Sequence, residues 1–217
     1  MHRKKPLDRQ IFPQMQDRTS RRLIWVPIIH TQADLGSLSE SLREIYVRRI
    51  GHGKWRQHVR DVEEMWSDIR SAIGELALAC DHLRLYQDGL PNCGHEEKIV
   101  KDLAEAGSEN HQILLGLMER GAQITGTESP EALVQEYELA RRVMLSSNPR
   151  EQEKAAQLYN ERSRDLLDER DDYIAKRIDE TLGSDETGMV FLGMLHSLDG
   201  RLAPDIQVAL LGRRPHT

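Results

Sequence analysis

Two cysteines, Cys80 and Cys93, are all that 217 residues contain. They stand thirteen positions apart and fit no metal-ligand or redox spacing. They read as free thiols in a reducing compartment, which excludes a disulfide framework. Long apolar runs are also missing, and no stretch approaches the roughly 20 residues of a membrane span. The opening Met1-His-Arg-Lys-Lys-Pro is basic but lacks the apolar core of a signal peptide. Together these absences predict a cytoplasmic protein with no membrane partner. No G-x-S-x-G elbow occurs, and neither cysteine has a nucleophile's setting, which argues against covalent serine or thiol catalysis. No internal repeat or low-complexity tract is present.

Net charge is −6, unevenly spread. Residues 1–22 carry seven Lys/Arg and two Asp/Glu, a net +5, which leaves −11 for the remainder. An acidic body predicts no nucleic-acid partner. Residues 1–20, with Pro6 and Pro13, read as a flexible basic leader, residues 213–217 as a tail, and 21–212 as a single domain. The chain is long enough to bury a core without staples. Its 38% hydrophobic and 30% charged content suits many exposed amphipathic helices.

What is present alternates. Leu23–Ile29 is continuously apolar and β-rich, as a strand covered on both faces is. Pro27 within it implies a strand end, an edge or a bulge. Ser37 and Glu40 have capping-box spacing for a helix to about Arg49. Gly51-His-Gly53 breaks it, and a second helix follows from about Lys54 to Ala72, with Val59, Val62, Met65, Trp66 and Ile69 on one face. Leu83–Tyr86 is a short strand, and helices follow at about Glu96–Glu105 and Asn110–Arg120. Gly121–Thr127 is a third strand candidate. Ser129-Pro130-Glu131 starts a helix to about Leu145, and Asn148-Pro149 starts the longest, to about Leu182. The apolar run from Met189 is the last strand. The pattern predicts an α/β domain with a mainly parallel sheet of about four or more strands, flanked by many helices, some forming a helical cap.

Polar residues directly follow each strand candidate: His30, Asp88, Glu128 and His196. Parallel strands deliver such residues to one edge, where ligands bind in open α/β sheets. Two imidazoles with carboxylates suit a divalent ion such as Zn, Mn, Co or Fe, or an acid–base set. Each residue also has a plainer use: a strand-end histidine as a hydrogen-bonded structural group, Glu128 at a helix N-terminus, Asp88 in an Asp-Gly turn. Asp34, Asp88 and Asp199, in the turns after the first, second and last strands, are candidate substrate-binding groups. Arg170 lies four residues after Leu166 and four before Ile174, on an apolar helix face. A guanidinium there needs a carboxylate, Glu128 first, unless it snorkels to water. His52 and His58 read as surface residues, His95 and His111 as helix-end polar groups.

These residues resemble a known pattern. Gly193-Met-Leu-His196 is similar to the terminal G-x-x-H motif of the superfamily that joins TraB-like proteins, the TIKI metalloproteases, erythromycin esterases and ChaN-like haem-binding proteins. Pro27-Ile-Ile-His30 resembles its first G-x-x-H, with proline where glycine is usual. Gly126-Thr-Glu128-Ser resembles its middle glutamate motif, and Arg170-Asp171-Asp172-Tyr-Ile-Ala175 its arginine–acidic segment. The chain also resembles a branch of small prokaryotic proteins of unassigned function. The resemblance implies a site of two histidines and a glutamate, in a group whose members cleave peptides with a metal, open esters without one, or bind haem.

The expectation is therefore a hydrolase for a small-molecule or peptide substrate, metal-dependent, with His30, Glu128 and His196 as metal ligands or catalytic groups and Arg170 orienting Glu128 or binding an anionic group of the substrate. Two other readings stand beside it. One is a non-enzymatic protein holding haem or a metal through the same histidines, and the other is a helical interaction module without catalysis. The oligomeric state is not legible in the residues.

Overall fold

A computed structural model describes residues 20–29, 39–146 and 148–211. Five strands form one sheet: β1 Arg21–Ile28, β2 Leu83–Gln87, β3 Gln123–Thr125, β4 Thr187–Gly193 and β5 Ile206–Leu210. Among the described residues five helices accompany them: α1 Ser39–Glu75, α2 Glu96–Glu105, α3 Glu109–Glu119, α4 Pro130–Leu145 and α5 Pro149–Thr181. A short 3-10 turn, Cys80–His82, leads into β2. The strand order is β3-β2-β4-β1-β5, and every pairing is parallel. The architecture is α/β, a parallel sheet flanked by helices.

Alternation along the strands sorts the core into two layers. Ile24, Val26, Leu85, Met189 and Phe191 face Val62, Trp66, Ile69 and Ile73 of α1, with Val100 of α2 and Leu114 of α3. Leu23, Trp25, Tyr86, Val190 and Leu192 face Ile174, Ala175 and Ile178 of α5. Central strands β1 and β4 are apolar on both faces because both faces are covered. The helices start where the local chemistry dictates. Ser129 Oγ accepts from Ala132 N at 3.2 Å and Asn148 Oδ1 from Arg150 N at 3.0 Å, each followed by proline at the first helical position.

Pro27 sits in β1 without cost. Arg21 N donates to Asp205 O and Trp25 O accepts from Leu211 N, so odd residues of β1 bond toward β5. Residue 27 shares that parity, but pairing with β5 ends at Trp25↔Leu210. The missing N–H would have met no strand.

Two details differ from the sequence reading. A fifth strand, β5, follows β4. The third strand shrinks to Gln123–Thr125, because Gly121 turns the chain with φ 108°. The expected break near residue 51 is present: α1 comprises two helices joined across a kink at Gly51, where φ 84° and ψ 157° leave helical geometry in a region that favours glycine. The part of α5 before Arg170 spans about 30 Å at 1.5 Å per residue. It continues past the strand ends with α4 packed along it, which is the helical cap.

Phe191 is fully buried, so Phe191→Ala is expected to lower unfolding free energy by about 3–5 kcal/mol. Leu158 on the cap is exposed, and Leu158→Ala should change it by less than about 0.5 kcal/mol. Urea denaturation of both variants checks the assignment of core and cap.

Candidate functional site

The chain leaves β2 toward the α1–α3 layer and leaves β3 toward the α5 layer. The carboxyl ends of these adjacent strands are therefore a topological switch point, the place where parallel sheets bind ligands. The two loops that line it are laced together. Thr127 N and Glu128 N both donate to Leu90 O at 3.0 Å, and Asn92 N donates to Glu128 O at 2.9 Å. Thr127 Oγ1 accepts from Gln87 N at 2.8 Å. Gly126 permits the crossing, since a Cβ there would stand 2.4 Å from Asn92 Cα and 2.9 Å from Pro91 O. The lacing fixes Asp88 and Glu128 against each other.

Arg170 enters from α5 and fills the space between them. Its Nε donates to Glu128 Oε2 at 2.6 Å. Nη2 donates to Glu128 Oε1 at 2.6 Å and to Asp88 Oδ1 at 2.8 Å, and Nη1 to Glu136 Oε2 at 2.5 Å. Four of the five guanidinium N–H groups are thus engaged. Glu128 Oε1 also accepts from Gly89 N at 2.8 Å, and Asp88 Oδ2 from Gly193 N at 3.0 Å. Glu128 is fully buried; Asp88, Arg170, Asp171 and His196 are nearly so.

His196 completes the cluster from β4. Gly193-Met-Leu-His196 is a tight turn, closed by His196 N donating to Gly193 O at 3.1 Å. Leu198 is buried behind it, which turns the imidazole inward. Asp171, next to Arg170 on α5, holds Nδ1 through Oδ1 at 2.6 Å and accepts Ser197 N on Oδ2 at 2.9 Å. Nε2 faces Asp88 Oδ2 at 3.3 Å. The group is a continuous chain: Glu136, Arg170, Glu128 with Asp88, His196, Asp171.

Four carboxylates stand against one guanidinium and one imidazole. Burial alone would lower the His196 pKa, but hydrogen bonds to Asp171 and Asp88 outweigh it and push it up to about 10. Burial raises the Glu128 carboxyl, Arg170 opposes this, and Asp88 adds to it. Burial disfavours the Arg170 cation, yet its carboxylates hold it firmly protonated.

The structure brings Asp88, Glu128, Arg170 and His196 together. His30 and Asp34 lie outside the described residues. Asp199 is exposed in the turn after His196 and makes no hydrogen bond or ion pair to the cluster among the described residues. Asp171 and Glu136 are members that the sequence reading did not single out. Asp171 carries a signal, since Ala175 and Ile178 follow at helical spacing on the same buried face. Glu136 follows buried Ala132 by one turn, a weak signal on a half-exposed helix. His111 is buried and pairs with Ser108 Oγ at 2.7 Å, whereas His58 packs against Tyr46 and Trp55.

Asp88, Glu128 and His196 each offer one ligand atom, all within 4.8 Å of one another. This donor set fits a divalent ion in kind. Arg170 already occupies both Glu128 oxygens and one of Asp88. Haem fits less well, because both ring nitrogens of His196 face carboxylates. Comparisons with protein-family models, curated proteins and solved structures return no match to this chain.

Removing Arg170 leaves buried anions unpaired. Arg170→Met is expected to cost about 3–5 kcal/mol, with part recovered in Arg170→Met/Glu128→Gln, read by urea unfolding as a double-mutant cycle. A pH series on chelator-treated protein tests His196. A raised folded pKa gives stability that is full below about 6.5 and is lost as pH rises toward about 10. Stability should therefore fall over that window, and His196→Gln should flatten the slope.

Proposed function

We propose that this protein is a hydrolase for a small-molecule or peptide substrate, working through the Asp88–His196–Asp171 chain. The observation that carries this reading is the imidazole held between two carboxylates at the strand carboxyl ends. Asp171 on Nδ1 fixes the ring's orientation, as in other carboxylate-oriented histidines. With both neighbours ionised, His196 is an imidazolium at neutral pH and serves as general acid. Asp88 is then the general base.

The step balances within the site. Asp88 Oδ2 takes a proton from water as the water oxygen bonds to the substrate carbonyl carbon. The scissile bond breaks, and His196 Nε2 gives its proton to the leaving group. Asp88 returns the water-derived proton to Nε2, which it already faces, and the site is reset. Arg170 holds Asp88 and Glu128 in place. The cap formed by α4 and α5 limits water above the cluster. The superfamily resemblance supports this reading through Glu128, Arg170-Asp171 and His196.

The cluster of three ligand atoms favours a second, metal-dependent reading. Asp88, Glu128 and His196 would hold Zn, Mn, Co or Fe, with Glu128 releasing an oxygen from Arg170 and His196 losing its proton. A bound ion supplies Lewis-acid polarisation and a lowered pKa for water.

The test is a screen of chromogenic esters and a peptide mixture, with elemental analysis of protein purified without a histidine tag. The expected result is turnover that survives chelation and falls at least about 100-fold in both His196→Ala and Asp88→Asn. Near-stoichiometric metal whose removal abolishes turnover would replace the first reading with the second. Folded protein that turns over no ester or peptide, with or without added metal, would overturn both.

A further inference from the structure

The sequence predicts no nucleic-acid partner because the body is acidic, but its charge is segregated. Residues 46–60 contain Arg48, Arg49, Lys54, Arg56 and Arg60 and no Asp or Glu. Net charge is −6 overall and +5 over this window, leaving −11 for the rest. All five cations are exposed. Arg48, Arg49, Lys54 and Arg56 form no ion pair among the described residues, whereas Arg43, Arg70, Arg84, Arg141 and Arg201 do.

Aromatic rings are interleaved with these cations. Tyr46 lies before the break at Gly51; Trp55 and His58 lie after it. Their centroids are 5.8 Å apart for Tyr46–Trp55, 6.1 Å for Tyr46–His58 and 5.8 Å for Trp55–His58. Tyr46 and His58 are nearly parallel, at 6°. Val47, Ile50 and Val59 are half-buried, as are Trp55 and His58, whereas Tyr46 and the five cations are exposed.

We infer that this window of α1 binds single-stranded nucleic acid. Cations that track a phosphate backbone, beside rings on which bases stack, are the two components of such surfaces. Arg48, Arg49, Lys54 and Arg56 contact phosphates, and the Tyr46–Trp55–His58 cluster stacks bases. A membrane surface is the poorer match, because the apolar residues of the window are partly turned inward and its outward face is cationic. Binding is independent of sequence, since no base-reading groups are arranged here.

The measurement uses the full chain and a labelled fifteen-nucleotide oligothymidylate, followed by anisotropy across a salt series. Micromolar binding is expected at about 50 mM salt, with log affinity falling against log salt at a slope of about −3 for four phosphate contacts. Tryptophan emission gives a second readout, because Trp25 and Trp66 are buried and Trp55 alone is accessible. Oligonucleotide should quench it in the wild type and not in Trp55→Leu, which should bind roughly ten-fold more weakly. The variant Arg48→Gln/Arg49→Gln/Lys54→Gln/Arg56→Gln, altered at exposed positions only and checked for unchanged melting, should not bind. Absent wild-type binding at low salt, unchanged binding by the quadruple variant, or unquenched Trp55 would overturn the inference. So would binding to phosphatidylserine/phosphatidylcholine vesicles that the oligonucleotide does not displace.

Discussion

A guanidinium withdrawn from water must find its counter-charges within a few ångströms, and Arg170 finds three: Glu128, Asp88 and Glu136. The carboxylates come from the end of β3, the end of β2 and the cap, so one side chain ties three separate regions to α5. Taking such ions out of water is costly, and the arrangement persists only because nearly every lone pair and proton is matched. Glu128 shows how closely. Both oxygens accept from Arg170, and one also takes a backbone N–H. Burial and Asp88 push its proton affinity up while the guanidinium pulls it down, so its charge state depends on the arginine beside it.

The sheet topology makes this convergence possible. With β2 between β3 and β4, the residues that follow these three strands emerge side by side. The connections after β2 and β3 depart to opposite faces, which leaves the edge between them uncovered by the sheet's own helices. α5 then crosses that edge, and two consecutive positions, Arg170 and Asp171, serve two neighbours. Arg170 serves the β2 and β3 loops, and Asp171 serves the turn after β4. A helix places consecutive side chains about 100° apart, which is why one element can brace two different strand ends.

Much of this arrangement is legible in the residues. Apolar strands ending in His, Asp or Glu point to one edge once parallel pairing is assumed. Arg170 on an apolar face calls for an anion, and Glu128 is among those it meets. Capping serine or asparagine followed by proline marks the starts of α4 and α5. The rest depends on tertiary placement. β5 has a buried, exposed, exposed, buried, exposed pattern and is a short edge strand, so neither periodicity nor length announces it. Asp88 reads as turn chemistry because Asp-Gly serves both purposes, and Gly89 does adopt the positive φ of a turn. Glu136 joins the site only because α4 folds back along α5, which no local pattern encodes. Asp171 joins through a ring nitrogen twenty-five positions away, a pairing that no local spacing encodes.

The position of Pro27 bears on how this sheet avoids other chains. Beyond Trp25↔Leu210, β1 has no strand neighbour on the β5 side among the described residues, while still pairing with β4 on the other. An unpaired rim of this kind is a template for a stray strand, which would register on the next available N–H. Proline at residue 27 removes the donor that such an intruder would need. Proline there thus leaves the rim without a donor, beside the edge where the buried polar cluster sits.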